Sequence, residues 1–580
     1  MDTSFWNTPL SYQSPKTPFV DAFSRFGIGF NPRRMGPAFL YPRGTQPSHD
    51  ENPFIQPLLN LWVKDAGLSF AVQPTRFESL PWAALEEGII PATGGPIKVT
   101  ACHVYEDAGT LLSEYAFRSE SKEIEPVISW SGCLQDDIPQ KEAFKFYAGT
   151  RALPRESFME QPGARAFWLG WRNGNPSTDL PQAGCLIEAD HELDIVRSSS
   201  AFAKGVALTG EPENRFFQVS PKECLSVGKD RPLIIRFRLR FLQEPASQSM
   251  EPPSLGREIA SASEFQEYAR KRFMDELNSE TLPDANISSF SMNKLMESRF
   301  HLLRNGICGG HGRWAGKKAI LCSASRNFSV VFFWDSIFSS VALSSFNKEF
   351  SRDALEVAFN EMDKRDGATP ESKFNYGTPA RTLIHSPQSP VGAWALQHYL
   401  DLHKDEDFAA PMYETLVRNH EFWTNYCDAD QDGLSEYRWS GQAADNSPLW
   451  DDLAVDLEAG FNWIPPVASV PLNSFLYRDA LHLAEIARSL GRSQDVLKWE
   501  SRASGIAERL LRYCHHPEDK CFWDYNQLTQ RHTKVKTFYM FWPLYAGIPM
   551  PEKTRRHLIE NVLLDPRQFF GDIPFPSVAY

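Results

Sequence analysis

The spacing of apolar residues changes once along this chain, and that change limits what the chain can fold into. Between about residues 55 and 245, short apolar runs alternate with polar residues at a period of two, which is typical of strands with one buried face. The clearest run is 235–241, where arginine occupies every second position. Similar runs lie at 97–104, 113–117, 127–131, 167–171 and 216–219. Many short strands separated by turn residues predict an antiparallel β-sandwich.

After a linker rich in Pro, Ala and Ser, the apolar residues recur at helical spacing. The predicted helices lie at 263–279, 352–363, 390–403, 408–426, 470–490 and 494–514, with weaker candidates near 290–305, 336–346 and 536–563. Gly491 follows the helix at 470–490 in a position suited to left-handed backbone. The sequence therefore predicts four segments: an irregular N-terminal arm at 1–50, a β-sandwich domain at 51–245, a linker with a helix at 246–285 and a helical domain at 286–580.

The lengths of the helical connections carry further information. Short links alternate with long ones; the short links lie at about 347–351, 404–407, 491–493 and 547–551, and the long ones at 364–389, 427–469 and 515–535. Short links join antiparallel helical hairpins, and the long links then gather at one end. Hairpins arranged around an axis form an (α/α) barrel with a mouth of long loops. A helical solenoid satisfies the same spacing.

Charge and composition exclude several classes of protein. The net charge of −13 argues against a nucleic-acid partner, which favours a basic face. No run reaches 18 apolar residues and the N-terminus lacks the pattern of a secretory signal, so we expect no membrane partner. The nine cysteines are scattered, odd in number and without Cys-x-x-Cys spacing. We therefore expect a cytoplasmic protein without a cofactor, and the sequence carries no signal for an oligomeric state.

One stretch, 438–451, holds the best candidate for a general acid. Asp445 follows small residues, precedes a turn that ends at Pro448, and lies between Trp439 and Trp450. The Asn, Ser and Pro of this stretch predict a loop. A carboxyl group between aromatic rings is in the kind of environment that raises its pKa, as a general acid working near neutral pH requires. An Asx turn leading into a helix explains the same residues.

Two further positions are candidates for binding a sugar. Asp335 follows Trp334 at the start of a predicted helix, and a carboxylate beside an aromatic face suits a pyranose ring. The structural alternative for Asp335 is a helix N-cap. Gln388 lies in a long loop before Pro390, and its amide can both donate and accept hydrogen bonds to a sugar or to an attacking water.

The acidic run from Asp428 to Glu436 is similar to a calcium loop. An EF-hand requires Glu at its twelfth position, where this chain has Trp439. We therefore expect a turn with solvated acids and no metal site. Glu436 is an additional candidate for a carboxylate in the site.

The residues from Gly441 to Pro448 (Gly-Gln-Ala-Ala-Asp-Asn-Ser-Pro), together with Asp451, resemble the general-acid loop of glycoside hydrolase family 63. That family includes processing mannosyl-oligosaccharide glucosidases and mannosylglycerate hydrolases, and trehalases are more distant. The Trp334-Asp335 pair and the segment around Gln388 are also similar, although Ser389 stands where the family pattern has Pro. The resemblance covers about residues 290–580 and extends to the β-rich region before them.

This resemblance implies an N-terminal antiparallel β-supersandwich followed by an (α/α)6 barrel. It implies a glycoside hydrolase that cleaves an α-glucosidic or α-mannosidic bond in an oligosaccharide or small glycoside with inversion, and hence a carbohydrate partner. Asp445 would be the general acid. The residues that would contact the substrate are Trp334, Asp335, Gln388, Trp439 and Trp450.

Inversion also needs a second carboxylate as general base, about 6.5–9.5 Å from the acid. In family 63 this base is a Glu that follows a Tyr-Trp-Arg-Gly-Pro segment, and residues 574–580 resemble the sequence just before that segment. About nine barrel helices are visible, fewer than an (α/α)6 barrel contains. We therefore expect a C-terminal truncation with the last helices and the general base missing, and little or no hydrolase activity from the chain as given.

Two alternatives remain open at this point. A non-catalytic carbohydrate-binding pseudoenzyme on the same toroid would also lack the base. A polysaccharide lyase would need a Tyr or His base with a neutralising cation, and the sequence shows no such cluster.

Overall fold

The computed structural model describes residues 26–31, 34–42, 59–65, 68–121, 123–133, 155–173, 182–198, 216–244, 251–256, 258–277, 288–309, 315–322, 331–373, 388–437, 448–450, 455–456, 462–463, 467–527 and 529–579. These residues divide into two compact units. The first contains the described residues up to 322, and the second begins at Val331.

The first unit is built mainly from antiparallel strands. They are β1 (Phe26–Asn31), β2 (Arg34–Pro42), β3 (Asn60–Asp65), β4 (Leu68–Ala71), β5 (Pro74–Ser79), β6 (Ala84–Ile90), β7 (Ile97–Asp107), β8 (Thr110–Ser119), β9 (Val127–Cys133), β10 (Arg155–Gly163), β11 (Ala166–Asn173), β12 (Gln182–Ala189), β13 (Leu193–Ser198), β14 (Phe216–Pro221) and β15 (Leu233–Glu244). Strands β1 and β2 form a hairpin. The others form an eight-stranded sheet in the order β10-β11-β12-β15-β8-β7-β6-β5 and a five-stranded sheet in the order β13-β14-β9-β3-β4.

The two large sheets share one hydrophobic core. Trp130 on β9 lies 4.8 Å, ring centre to ring centre, from Phe237 on β15, and Phe167 on β11 lies 5.5 Å from Phe217 on β14. Each pair joins the five-stranded sheet to the eight-stranded one. This confirms the antiparallel sheets predicted from the period-two pattern.

Strand β15 shows how that pattern sets the pairing. Ile235, Phe237, Leu239 and Phe241 are buried, and the arginines between them pair with glutamates. The ion pairs are Arg236–Glu114, Arg238–Glu106 and Arg240–Glu188, at N···O distances of 2.7, 3.3 and 2.9 Å. A slip of one residue would turn all three arginines into the core, so the register is strongly specified.

The β1–β2 hairpin corrects the prediction of an irregular arm over residues 1–50. Phe26, Ile28 and Phe30 are buried with period-two spacing. The hydroxyl of Tyr105 donates to the carbonyl oxygen of Phe26 at 3.0 Å, and the Gly36 N–H donates to Glu86 Oε2 at 2.8 Å. The apolar alternation is present in the sequence, but glycines fill the positions between and weaken the strand signal.

The helices confirm the predicted change of period. They are α1 (Ala262–Leu277), α2 (Ser289–Arg304), α3 (Phe333–Ser344), α4 (Lys348–Phe359), α5 (Gly392–His403), α6 (Glu406–Tyr426), α7 (Val470–Ser489), α8 (Ser493–Arg509), α9 (Trp542–Ala546) and α10 (Glu552–Arg556). Helices α8 and α10 continue as π-helical turns at Leu510–Cys514 and His557–Leu563. Helices α1 and α2 belong to the first unit and α3–α10 to the second.

Short strand pairs complete the two units. The first unit has Gly306–Cys308 with Lys318–Ile320. The second has Val331–Phe332 with Ser372–Lys373, Val455–Asp456 with Asn462–Trp463, His515–His516 with Cys521–Phe522, and a three-stranded set of Val467–Ala468, Asp524–Asn526 and Arg531–Thr533.

The second unit is a series of helical hairpins. Links at 345–347, 404–405 and 490–492 join α3 to α4, α5 to α6 and α7 to α8, which pack as pairs. Helix α5 also packs against α3 and α7, and α7 packs against α9. Gly491 adopts a φ of 73°, as predicted for the end of α7. Among the described helices, none combines the length and the apolarity needed to cross a membrane.

Candidate functional site

The first turn of α3 carries two of the predicted site residues. The chain enters the helix from the short strand Val331–Phe332, and the Phe333 N–H donates to the carbonyl oxygen of Glu371 at 2.8 Å. The N-cap is Phe332, with extended backbone, so Trp334 and Asp335 are the second and third helical residues. Asp335 is therefore not the N-cap. A carboxylate in the first turn is nevertheless favoured by the partial positive charge of the helix start.

Gln388 directly contacts this turn. Its side chain is 5% exposed, and its Oε1 accepts the Trp334 N–H at 3.0 Å. The bond satisfies one of the N–H groups that a helix leaves free at its start. Trp334 and Asp335 are both half-buried, so part of each side chain remains accessible. The structure thus brings Gln388 and the Trp334-Asp335 pair together across about 54 positions of sequence.

A second bond links the Gln388 segment to the chain that leads to Asp445. The hydroxyls of Ser389 and Tyr437 lie 2.6 Å apart in a buried position. Ser389 is the residue that departs from the family pattern of Pro, and its hydroxyl makes a bond that Pro cannot make. Tyr437 immediately precedes the segment 438–447.

Three predicted residues are not placed as side chains. Asp445 and Trp439 lie outside the described residues, as does the side chain of Trp450, whose backbone ends a short 3-10 helix. The residues that flank 438–447 can be placed. Tyr437 is 1% exposed and Leu449 is 4% exposed, and both belong to the hydrophobic core of the second unit.

Two buried carboxyl groups of this unit have raised pKa values. Burial raises the pKa of Glu436 to about 8, and the nearby aspartates add to the effect. Burial also raises the pKa of Asp524 to about 7, although its Oδ1 accepts the Val470 N–H at the start of α7. Glu436 and Asp428, Asp430 and Asp432 each offer an oxygen to a shared position, so this group is able to hold a metal ion.

Three residues of this region were not identified from the sequence. Ser389 and Tyr437 act through a hydrogen bond that spans 48 positions, and no local pattern predicts such a partnership. Glu371 is buried beside the start of α3, where its backbone oxygen accepts the Phe333 N–H. It follows Thr-Pro in a segment whose apolar residues show no regular spacing, so the sequence does not predict its burial.

Comparisons with known proteins agree with the resemblance to family 63. Residues 331–580 match the model of the mannosylglycerate hydrolase MGH1-like glycoside hydrolase domain. A cytosolic neutral trehalase from Kluyveromyces lactis is 29% identical over 114 residues. That similarity covers 18% of this chain and only 15% of the trehalase.

Two solved structures are also similar in part. A family 63 mannosylglycerate hydrolase from Thermus thermophilus, in complex with glucose, is 20% identical, with a TM-score of 0.35 over 40% of this chain and 68% of that one. A human-microbiome protein described as a candidate kojibiose phosphorylase is 11% identical, with a TM-score of 0.49 over 90% of this chain and 70% of that one. Residues 331–580, the part of the chain that contains α3–α10, are therefore similar to the mannosylglycerate hydrolase MGH1-like glycoside hydrolases.

Proposed function

We propose that this protein is an inverting glycosidase that acts on an α-glucosidic or α-mannosidic bond in an oligosaccharide or small glycoside. The observation that carries the proposal is the contact between Gln388 and Trp334 inside the segment that matches a glycoside hydrolase domain. The partial similarity to a trehalase supports an α-linked glucoside among the candidate substrates.

In this proposal the two halves of the chain form an N-terminal β-supersandwich and an (α/α)6 barrel. The packing of α5 against α3 and α7, and of α7 against α9, supports an inner ring of helices. The partner helices α4, α6 and α8 then form the outer layer, because each is joined to its inner helix by a short link. The long connections carry the site, and the scattered cysteines fit a cytoplasmic protein.

Trp334 and Asp335 hold the sugar whose bond is cleaved. The indole presents an apolar face to the ring, and the carboxylate accepts hydrogen bonds from two hydroxyl groups. Gln388 fixes the first turn of α3 through its Oε1, which leaves its amide nitrogen to donate to the sugar or to the attacking water.

Asp445 is the general acid that protonates the leaving oxygen. Its segment begins at Tyr437, which is bonded to Ser389, the neighbour of Gln388. That bond supports the convergence of the acid and the sugar-binding turn, about 110 positions apart in sequence. Trp439 and Trp450 flank the acid in sequence and supply further stacking surfaces. The general base is not assigned to any residue of this chain.

Sugar binding tests the proposal without requiring turnover. Titration of the purified chain with glucose, mannose and their glycosides, followed by tryptophan fluorescence, gives the dissociation constants. Asp335→Asn should weaken binding about ten-fold or more, because each hydrogen bond to a charged group contributes about 1.5–3 kcal/mol. Glu349→Gln, on the exposed side of α4, is the matched control. Equal affinities for the wild type and Asp335→Asn would contradict the proposed binding of the sugar by Asp335.

The role of Asp445 is tested separately. Asp445→Asn should leave sugar binding within about three-fold of the wild type, while an acid catalyst contributes about 10²–10⁴-fold to the rate. In turnover assays the variant should therefore be slow on an α-linked disaccharide and much less impaired on an α-glycosyl fluoride, whose leaving group needs no proton. Equal impairment on both substrates would remove Asp445 from the acid role.

A further inference from the structure

The segment from Asp428 to Glu436 brings four carboxylates to one point in the second unit. Asp428, Asp430, Asp432 and Glu436 each contribute one oxygen, and these oxygens all lie within 4.8 Å of one another. Four carboxylates so close together repel strongly when all of them are ionised, because the repulsion grows as the distance and the dielectric constant fall. Acidic residues on an exposed turn would relieve this by turning into solvent.

The carboxyl group of Glu436 cannot turn into solvent in this way. Its side chain is 3% exposed, and its Oε1 is buried without a hydrogen-bond partner. Its Oε2 accepts the Ala429 N–H at 2.8 Å, which fixes the carboxylate at this position. Asp428, a second member of the group, also has a buried oxygen, Oδ1, without a hydrogen-bond partner. Burying carboxyl oxygens without partners is costly, and a bound cation would satisfy both of them.

The backbone holds the other oxygens in place. Asp428 Oδ2 accepts the Gly433 N–H at 2.9 Å, and Asp432 Oδ1 accepts the Leu434 N–H at 2.7 Å. Gly433 has a φ of 86°, which lets the chain turn sharply within the cluster. The unit's core anchors the end of the segment, since the Ser435 N–H donates to Asn473 Oδ1 at 2.8 Å.

The donor set selects the kind of ion. All four ligand atoms are carboxylate oxygens, which suit hard cations, whereas zinc favours nitrogen and sulfur ligands. Magnesium usually keeps several waters and takes only one or two carboxylates, whereas calcium accepts six to eight oxygen ligands in a flexible geometry. Four carboxylates within 4.8 Å of one another therefore favour calcium.

We propose that Asp428, Asp430, Asp432 and Glu436 form a calcium-binding site that stabilises the second unit. The arrangement differs from an EF-hand, since the glutamate stands at the ninth position of the loop and Trp439 at the twelfth. The sequence pattern alone favours a solvated turn at this place. The burial of Glu436 favours a calcium site over a solvated turn. No local sequence pattern predicts this burial.

Calcium binding to the purified full chain tests the site directly. After treatment with EDTA and dialysis, the chain is titrated with CaCl₂ by calorimetry, and its thermal unfolding is followed with and without calcium. We expect one calcium ion per chain and a higher melting temperature in calcium than in EDTA. Magnesium should bind at least about ten-fold more weakly. Absence of binding heat together with equal melting temperatures would overturn the proposal, and magnesium binding as tightly as calcium would overturn the choice of ion.

Variants locate the ion. Asp430 is exposed, so Asp430→Asn should fold normally, weaken calcium binding at least about ten-fold and abolish the calcium-dependent rise in melting temperature. Glu436→Gln should also weaken calcium binding. If Glu436→Gln does not fold, Asp430→Asn alone tests the site. Glu508→Gln, at an exposed position on α8, is the matched control and should bind as the wild type does. Unchanged calcium affinity in Asp430→Asn would overturn the assignment.

Discussion

The buried carboxyl group of Asp524 should make the stability of the second unit depend on pH. Asp524 is 4% exposed, its Oδ1 accepts the Val470 N–H at 2.8 Å, and its Oδ2 is buried without a hydrogen-bond partner. Burial therefore raises its pKa from the ordinary value of 3.8 to about 7 in the folded protein. Between these two values the folded state holds a proton that the unfolded chain has lost.

The sign follows from that proton. Where the folded state binds more protons than the unfolded state, the free energy of unfolding falls as the pH rises. The loss begins above the unfolded pKa and is complete once the pH passes the folded pKa of about 7. Each pKa unit corresponds to about 1.4 kcal/mol, so about three units correspond to at most about 4 kcal/mol. Near the middle of this range the slope approaches about 1.4 kcal/mol per pH unit, and between pH 5 and 7 it averages about 1 kcal/mol per pH unit.

Asp524→Asn should remove this slope, because the amide cannot ionise while its oxygen can still accept the Val470 N–H. Urea unfolding of the second unit, followed by tryptophan fluorescence at pH 5, 6, 7 and 8, gives the free energy of unfolding of both proteins. Relative to the variant, the wild type should lose about 1 kcal/mol per pH unit between pH 5 and 7. Asp407→Asn, at an exposed position on α6, should keep the slope of the wild type. Parallel pH curves for the wild type and Asp524→Asn would refute the reasoning.

Three further predictions concern stability and are measured by thermal or urea unfolding. Gly367→Ala should destabilise the protein more than Gly491→Ala: both glycines have positive φ, but a Cβ on Gly367 would lie 2.2 Å from a backbone oxygen, and one on Gly491 meets nothing within 4 Å. Equal losses of stability in the two variants would show that the backbone around Gly367 relaxes without cost. In a double-mutant cycle, Tyr437→Phe and Ser389→Ala should show a coupling of about 1 kcal/mol, since either change removes the same hydrogen bond; strict additivity would contradict that bond. Asn347→Ala should cost about 1 kcal/mol, because the Asn347 side chain accepts the Phe350 N–H at the start of α4, and replacement by Asp should restore most of the loss.

The spacing of apolar residues predicted most of the strands and helices that the structure describes. The runs at 113–117 and 470–490 appear as Thr110–Ser119 and Val470–Ser489, because the apolar period of each element is visible in its own sequence. The first strand of the β1–β2 hairpin was not predicted because glycines, and not polar residues, alternate with its apolar residues. Its stability comes instead from burial against distant strands, which a local window does not contain.

The candidate site was predictable to a different degree. Trp334, Asp335 and Gln388 stand out in sequence by residue type, and the structure joins the first and last of them by a hydrogen bond. The roles of all three, and that of Asp445, stay predictions. The bond between Ser389 and Tyr437 and the burial of Glu436 depend on packing between distant segments, so residue type and spacing do not reveal them.

The place of β15 in its sheet has a consequence for synthesis on the ribosome. Because β15 lies between β12 and β8, the eight-stranded sheet stays in two pieces until residue 244 has emerged. Until then β8 and β12 each expose an open edge on the nascent chain, and unpaired edges invite association with other strands. We therefore expect ribosome-bound chains that stop before residue 233 to depend on chaperones, and chains long enough for residue 244 to have left the ribosome to be released from them.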